Sequence, residues 1–385
     1  LTAFIAGNAI ALLETGQAYF PELEAALDEA RTEVFLESYI FCPDLTGRRI
    51  AAALSRAARR GVAVHVVVDG FGGRDFVRDL MPGLVADGVK VLVFRRELKL
   101  FSLRRHRLRR MHRKLVVVDG RLAFVGGINV IEDFEVGGPP HPRYDYTVKV
   151  EGPLLVPICQ AAHDLWRLVS WASFRRRLLS PMRALPDGRA VGELRAAFLI
   201  RDNLRHRHDI EEAYLSAIAL AGEEIVIACA YFLPGRRFRQ ALVEAATRGV
   251  RVTLLLQGLS DHPFQAHATR ALYPFFLDRG IRLFEYHRSY LHAKVAVVDG
   301  YWATVGSSNI DPFSLLLARE ANVVVEDGAF SRRLRDSIFR AIEEGAQELR
   351  TEDWRKLPLL RRIACWLAYQ GARLAIGVAG YGRRG

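Results

Sequence analysis

Cysteine and methionine are scarce in this chain, and long charge-free apolar runs are absent. The four cysteines, Cys42, Cys159, Cys229 and Cys365, are widely separated and form no CxxC pair. That spacing argues against a disulfide framework or a zinc site and fits a reducing compartment. A spanning helix needs about 20 mostly apolar residues. The best stretch, residues 363–382, has Arg373 in its middle and arginines at both ends. A helix lying on a membrane surface is expected there in preference to a span, the alternative being a helix packed on the protein's own core. The chain begins at Leu1, consistent with a trimmed N-terminus, and no basic stretch precedes its first apolar residues, so a signal peptide is not expected. No cluster of carboxylates of the two-metal kind is evident. Neither a metal nor any other cofactor is expected.

What the chain has is bulk and positive charge. Its 385 residues suffice for two domains, and 50% of them are hydrophobic, enough for a sizeable core. The formal charge is +12. That excess points to an anionic partner: nucleic acid, a phospholipid surface or a phosphorylated substrate.

The chain also repeats itself. "MHRKLVVVDGRLAFVGGINV" (111–130) and "YLHAKVAVVDGYWATVGSSNID" (290–311) both fit H-x-K-x4-D-x6-G-[GS]-x-N, with the histidines 180 residues apart. Flanking blocks recur in the same order. "AALSRAARRGVAVHVVVDG" (52–70) matches "QALVEAATRGVRVTLLLQG" (240–258), and "DYTVKVEG" (145–152) matches "EANVVVED" (320–327). The chain is a duplication of one α/β module. In each module amphipathic helices, the first over 20–33 and the second from about Gly47 to Arg60, alternate with buried strands. A mixed or mainly parallel sheet flanked by helices is expected. A basic, Pro- and Gly-containing stretch near 175–192 reads as the connection between halves.

Each motif reads as two strands joined by Asp-Gly, a strong hairpin signal. Residues i and i+2 share a strand face, so His112 projects with Lys114, and His292 with Lys294. Asp119 and Asp299 have the opposite parity, which assigns them mainly to the turns. The glycines that end the returning strands, Gly126, Gly127 and Gly306 (followed by Ser307), permit close approach of backbone or ligand. Asn129 and Asn309 follow. Lysine supplies a point charge and three donors, asparagine a directed amide donor. Together they suit the oxygens of a phosphoryl group. An imidazole with a pKa of about 6.5 can serve as nucleophile or proton carrier. Two such sets imply one site between the halves, one histidine attacking phosphorus and the other serving the leaving oxygen.

The two blocks resemble the HKD motifs of the phospholipase D superfamily, and the resemblance extends to about residue 345. With "YFLP" (231–234), "VGSSNIDPFSL" (305–315) and "REANVVV" (319–325), the chain is most similar to bacterial cardiolipin synthases, in particular the short type without N-terminal transmembrane helices. That resemblance implies the phospholipase D fold: two pseudo-symmetric α/β/α lobes, each with a mixed sheet flanked by helices, and one active site at the lobe interface. It implies a first lobe over 1–175, a linker over 176–192, a second lobe over 193–345 and a basic amphipathic segment over 346–385. It also implies a phosphohistidine mechanism with His112 as nucleophile and His292 as general acid/base. Lys114, Lys294, Asn129 and Asn309 would hold the phosphate, and Asp119 and Asp299 complete the motif's catalytic set. Asp145 and Glu320, matched by the repeat, would orient the histidines.

The activity implied is transfer of a phosphatidyl group from phosphatidylglycerol to a second phosphatidylglycerol. The alternatives are hydrolysis to phosphatidic acid, or an HKD-type nuclease. The approach to His112, residues 95–114, has ten Lys or Arg among twenty residues, interspersed with apolar side chains. Arg104, Arg105, Arg107, Arg109 and Arg110 are expected to dock on headgroup phosphates of an anionic phospholipid membrane. Phosphatidylglycerol is the expected substrate. Neither nucleic acid nor an obligate protein partner is expected. The expected location is peripheral or monotopic on the bacterial inner membrane, with the cytoplasmic side favoured.

Overall fold

The computed structural model describes residues 3–95, 110–134, 138–175, 178, 181–202, 205–260 and 262–376. Arg104, Arg105, Arg107 and Arg109 lie outside the described residues. Seven strands belong to the first half: β1 (Ile5–Glu14), β2 (Glu33–Ser38), β3 (Ala63–Asp69), β4 (Lys90–Phe94), β5 (Lys114–Val118), β6 (Leu122–Gly126) and β7 (Tyr146–Glu151). The second half supplies β8 (Leu194–Arg201), β9 (Glu224–Cys229), β10 (Arg251–Gln257), β11 (Arg282–Tyr286), β12 (Lys294–Val298), β13 (Trp302–Gly306), β14 (Glu320–Glu326) and β15 (Ala346–Leu349). The sheet is mixed. β2–β3–β4 and β9–β10–β11 run parallel, and the hairpins β5–β6 and β12–β13 are antiparallel.

The halves do not keep separate sheets. β1 pairs with β7 on one side and with β8 on the other. One fifteen-strand sheet results, in the order β15-β11-β10-β9-β12-β13-β14-β8-β1-β7-β6-β5-β2-β3-β4. β2, β5, β6, β9 and β12 are buried along their whole length, which fits their mostly apolar composition. One apolar cluster covers one face of both halves, from Leu12 and Val125 to Val323 and Ile338, packed under the helices Leu155–Ala172 and Gly328–Gly345. Two further clusters fill the outer face, one per half.

The Asp-Gly turns set local boundaries. Asp119 and Asp299 have φ of 51° and 50°, and the following glycines are also left-handed. Each carboxylate reaches back to the edge of its own half. Asp119 accepts from the backbone N–H groups of Arg31, Thr32 and Glu33 at 2.8–3.0 Å. Asp299 accepts from Gly222, Glu223 and Glu224 at 2.8–2.9 Å. For this reason the helix expected over 20–33 runs instead from Thr15 to Glu29: the N–H groups that would extend it are claimed by Asp119. The second expected helix is Leu45–Arg59, its first turn capped by the Asp44 carboxylate on Gly47 N–H at 2.8 Å.

The stretch expected to link the halves is fastened to the first half. The backbone N–H groups of Arg183 and Ala184 donate to the buried Glu33 carboxylate at 2.8 and 3.1 Å. The second half continues past residue 345, because β15 pairs antiparallel with β11. After it come the helices Thr351–Lys356 and Leu359–Ile376. Among the described residues no helix is long and apolar enough to cross a membrane.

Asp299→Ala should cost about 2 kcal/mol in urea denaturation, because three N–H groups lose a charged acceptor. Burial opposes the Asp299 charge, but the three N–H groups outweigh it and hold the carboxyl below its ordinary value. Its contribution is therefore full above the unfolded value near 3.9 and is lost at lower pH. The difference between wild type and variant should shrink as pH falls below about 4.

Candidate active site

The two histidines lie two residues before the first residues of β5 and β12, where the halves are stitched together. Met111 bridges Arg319, and Leu291 bridges Tyr144. His112 N–H donates to Arg319 O at 2.9 Å, and His292 N–H donates to Tyr144 O at 2.8 Å. These equivalent bonds bring the two sequence-distant histidines to one cleft of about 380 Å³, lined also by Asn129, Asn309, Arg110 and Arg143.

The orienting carboxylates cross over. His112 Nδ1 lies 3.0 Å from the Glu320 carboxylate of the second half. His292 Nδ1 lies 2.5 Å from Asp145 Oδ2 of the first half. Repeat matching identified both acids, but repeats align each half with itself and could not show the exchange. With each Nδ1–H given to a carboxylate, each ring keeps Nε2 as its free lone pair.

The two halves solve the packing differently. Ser307 Oγ donates to Glu320 at 2.5 Å and accepts from Ala321 N–H at 3.0 Å. The equivalent position is Gly127, and a Cβ there would run into the Asp145 carboxylate. The longer acid goes with serine, and the shorter acid goes with glycine. The second glycine of the first motif, Gly127, is thus a packing requirement of Asp145.

Lys114 Nζ donates to His112 O at 2.8 Å and sits over the Tyr39 ring. Lys294 Nζ lies 3.3 Å from Asp145 and 2.7 Å from His292 Nδ1. Asn129 Oδ1 accepts from Ile40 N–H at 3.1 Å, and Asn309 Oδ1 from Tyr231 N–H at 3.4 Å. Each amide therefore has its NH2 available to the cleft. Asp119 and Asp299 lie at the far ends of their strands, bonded to backbone. They are not part of the reacting centre, which corrects their inclusion with the catalytic set.

Burial shapes the protonation states. It pushes the His112 imidazole down, with Glu320 opposing. Burial and the Lys294 charge push His292 down to about 3. Burial pushes Lys114 down to about 7 and lowers Lys294 as well. Burial works against the Asp145 charge, but Lys294 and His292 hold that carboxyl below its ordinary value. Burial thus favours the neutral form of both imidazoles: a neutral ring can attack, and a neighbouring anion favours a protonated one.

Several contributors were not singled out in the sequence. Buried Asp69, at the end of β3, accepts from Met111 N–H at 2.9 Å and lies 3.7 Å from Arg110. It fastens the end of the basic run beside His112. Its only sequence signal is that the matched position in the second half is Gln257. Arg110, expected to dock on headgroup phosphates, lines the cleft, its guanidinium also over the Phe71 ring. Arg143, Tyr39, Tyr231, His262 and Gln265 complete the walls. Tyr231 opens the YFLP block and Gln265 lies on the helix Pro263–Arg270, while the others lie in connecting segments.

Comparison with known proteins follows the same lines. The family model "Cardiolipin synthase, PLD-like domain" matches residues 23–133 and 214–342. Those segments contain both histidines and Glu320, while Asp145 falls between them. The chain is 41% identical over 343 residues to cardiolipin synthase B of Escherichia coli (strain K12), covering 89% of this chain and 82% of that protein. It is 30% identical over 367 residues to cardiolipin synthase A of Pseudomonas putida, covering 94% and 74%. Among solved structures, it is similar to phosphatidylserine synthase of Haemophilus influenzae Rd KW20, with a TM-score of 0.73 at 13% identity, covering 99% and 97% of the two chains. That likeness is one of fold.

Gly127→Ser should displace Asp145 and misplace the His292 ring. A reacting group displaced by about 1 Å costs on the order of 100-fold in rate. The turnover of Gly127→Ser, at unchanged circular dichroism, measures this. The His292 pKa lies below its unfolded value near 6.5, so the unfolded chain binds a proton that the folded chain rejects. The contribution of His292 to stability is full above about pH 6.5 and is lost as pH falls toward 3. Between pH 7 and 5 that loss amounts to roughly 2 kcal/mol. His292→Gln should show a correspondingly shallower fall in urea midpoint over that range.

Proposed function

From the premise that this chain belongs to the cardiolipin synthase family of phospholipase D-like enzymes, we propose that it joins two phosphatidylglycerol molecules into cardiolipin and releases glycerol. The observation that carries this reading is the pair of imidazoles facing one cleft, each tied through Nδ1 to a carboxylate of the other half.

His112 Nε2 attacks the phosphorus of the first phosphatidylglycerol. The bond to the glycerol oxygen breaks, and His292 protonates that oxygen. Burial and Lys294 favour neutral His292. The phosphodiester anion favours the imidazolium, so substrate binding itself arms the acid. In this reading Lys114, Lys294 and the two asparagine amides stabilise the charge that develops on the phosphoryl oxygens. The phosphatidyl group then rests on His112. A hydroxyl of the second phosphatidylglycerol gives its proton to His292 and bonds to phosphorus as the P–N bond breaks.

A peripheral position on the cytoplasmic face of the bacterial inner membrane suits this chemistry. The helix Leu359–Ile376 packs on Pro263–Arg270 through Ala268, Ala368 and Ala372. It leaves Leu360, Trp366 and Leu367 exposed beside Arg361 and Arg362, with Phe264 exposed on the neighbouring helix. His262, at the start of that neighbouring helix, and its Gln265 line the cleft. An apolar and basic surface at the cleft wall would meet anionic lipid with the site beside it.

Purified protein on phosphatidylglycerol vesicles should yield cardiolipin and free glycerol by mass spectrometry, and His112→Ala should yield neither. His292→Ala should accumulate a phosphatidyl adduct, located on His112 by peptide mass spectrometry. Phosphatidic acid as the sole product would make the enzyme a hydrolase. An adduct on His292 in His112→Ala would reverse the histidine roles.

A further inference from the structure

The duplication accounts for the groups that surround one phosphate, but two cations in the cleft have no counterpart. Arg110 stands two residues before His112, where the second half has Tyr290. Arg143 stands two residues before Asp145, where the second half has Ala318. The two guanidiniums have different neighbours. Arg110 is at the His112 end, beside Asp69. Arg143 is at the His292 end. Its backbone N–H donates to Asp133 O at 3.0 Å, and its guanidinium lies 5.3 Å from the centroid of the Tyr290 ring, two residues before His292.

We propose that Arg143 binds the phosphodiester of the acceptor, and so selects an acceptor alcohol that carries its own phosphate. This inference rests on the reaction proposed above. In-line displacement fixes the side. With phosphorus bonded to His112 Nε2, the leaving glycerol departs and the acceptor hydroxyl enters on the opposite side, toward His292. That hydroxyl oxygen bonds to phosphorus as the P–N bond breaks, and its proton passes to His292. A phosphatidylglycerol acceptor carries a second phosphodiester three carbons from the attacking oxygen, and that anion arrives at the His292 end. In the proposed reaction Lys114, Lys294 and the asparagines are assigned to the reacting phosphate. The guanidinium at this end, packed over Tyr290 and lining the cleft, offers the second phosphate a planar, two-pronged set of donors. Free glycerol and water make no use of it.

The test sets two acceptors in competition for one intermediate. Phosphatidylglycerol vesicles are incubated with enzyme and deuterated free glycerol. Transfer to lipid gives cardiolipin, and transfer to the free alcohol gives deuterated phosphatidylglycerol. Loss of a charge-assisted phosphate contact should lower the ratio of cardiolipin to deuterated phosphatidylglycerol about tenfold or more in Arg143→Gln. Arg143→Lys keeps the charge and the stem but loses the fork, and its ratio should fall between the two. A ratio unchanged in both variants, with both products formed by the wild type, overturns the assignment of Arg143 and leaves the reaction standing. Wild-type enzyme that forms deuterated phosphatidylglycerol but no cardiolipin overturns the proposed reaction, and this inference with it.

Discussion

Each imidazole at the centre of this chain is held by a carboxylate that arrives from the other half. His112 leans on Glu320 and His292 on Asp145. Neither half could assemble a reactive ring alone, so catalytic competence and the joining of the halves are one structural event. The backbone exchange at Tyr144, Leu291, Met111 and Arg319 sets the position of each ring. The pairing of β1 with β8, which makes one sheet of two, removes the freedom that would otherwise let that exchange slip.

Burial at this junction is costly for charge and useful for chemistry. It favours the neutral form of both imidazoles and depresses both lysines. An anionic phosphodiester is what such a site lacks. Its arrival favours the lysine ammonium groups and a protonated His292 together. In the proposed reaction acid strength would thereby follow substrate occupancy without a moving part.

The duplicated halves have drifted in a correlated way. Glu320 is paired with Ser307, and the shorter Asp145 with Gly127. The cleft walls have drifted further: Arg110 and Arg143 face Tyr290 and Ala318 across the pseudo-symmetry. The reacting phosphate needs a symmetric cradle, whereas the groups on either side of it differ.

The repeat, the alternation of helix and strand, the Asp-Gly hairpins and the facing of His with Lys were all legible in the sequence. Each rests on local periodicity or turn chemistry, which neighbouring residues suffice to determine. The same parity argument placed Asp119 and Asp299 in their turns, where their carboxylates cap backbone. It was the familiar motif, not the spacing, that placed them with the catalytic groups. The exchange of carboxylates between halves, the single continuous sheet, the clash that makes Gly127 obligatory and the arrival of Asp69 and Arg143 at the cleft emerged only in the tertiary structure. These depend on contacts between segments dozens to hundreds of residues apart. Local sequence encodes which face a side chain takes, but which neighbour it meets there is decided by how the two halves dock.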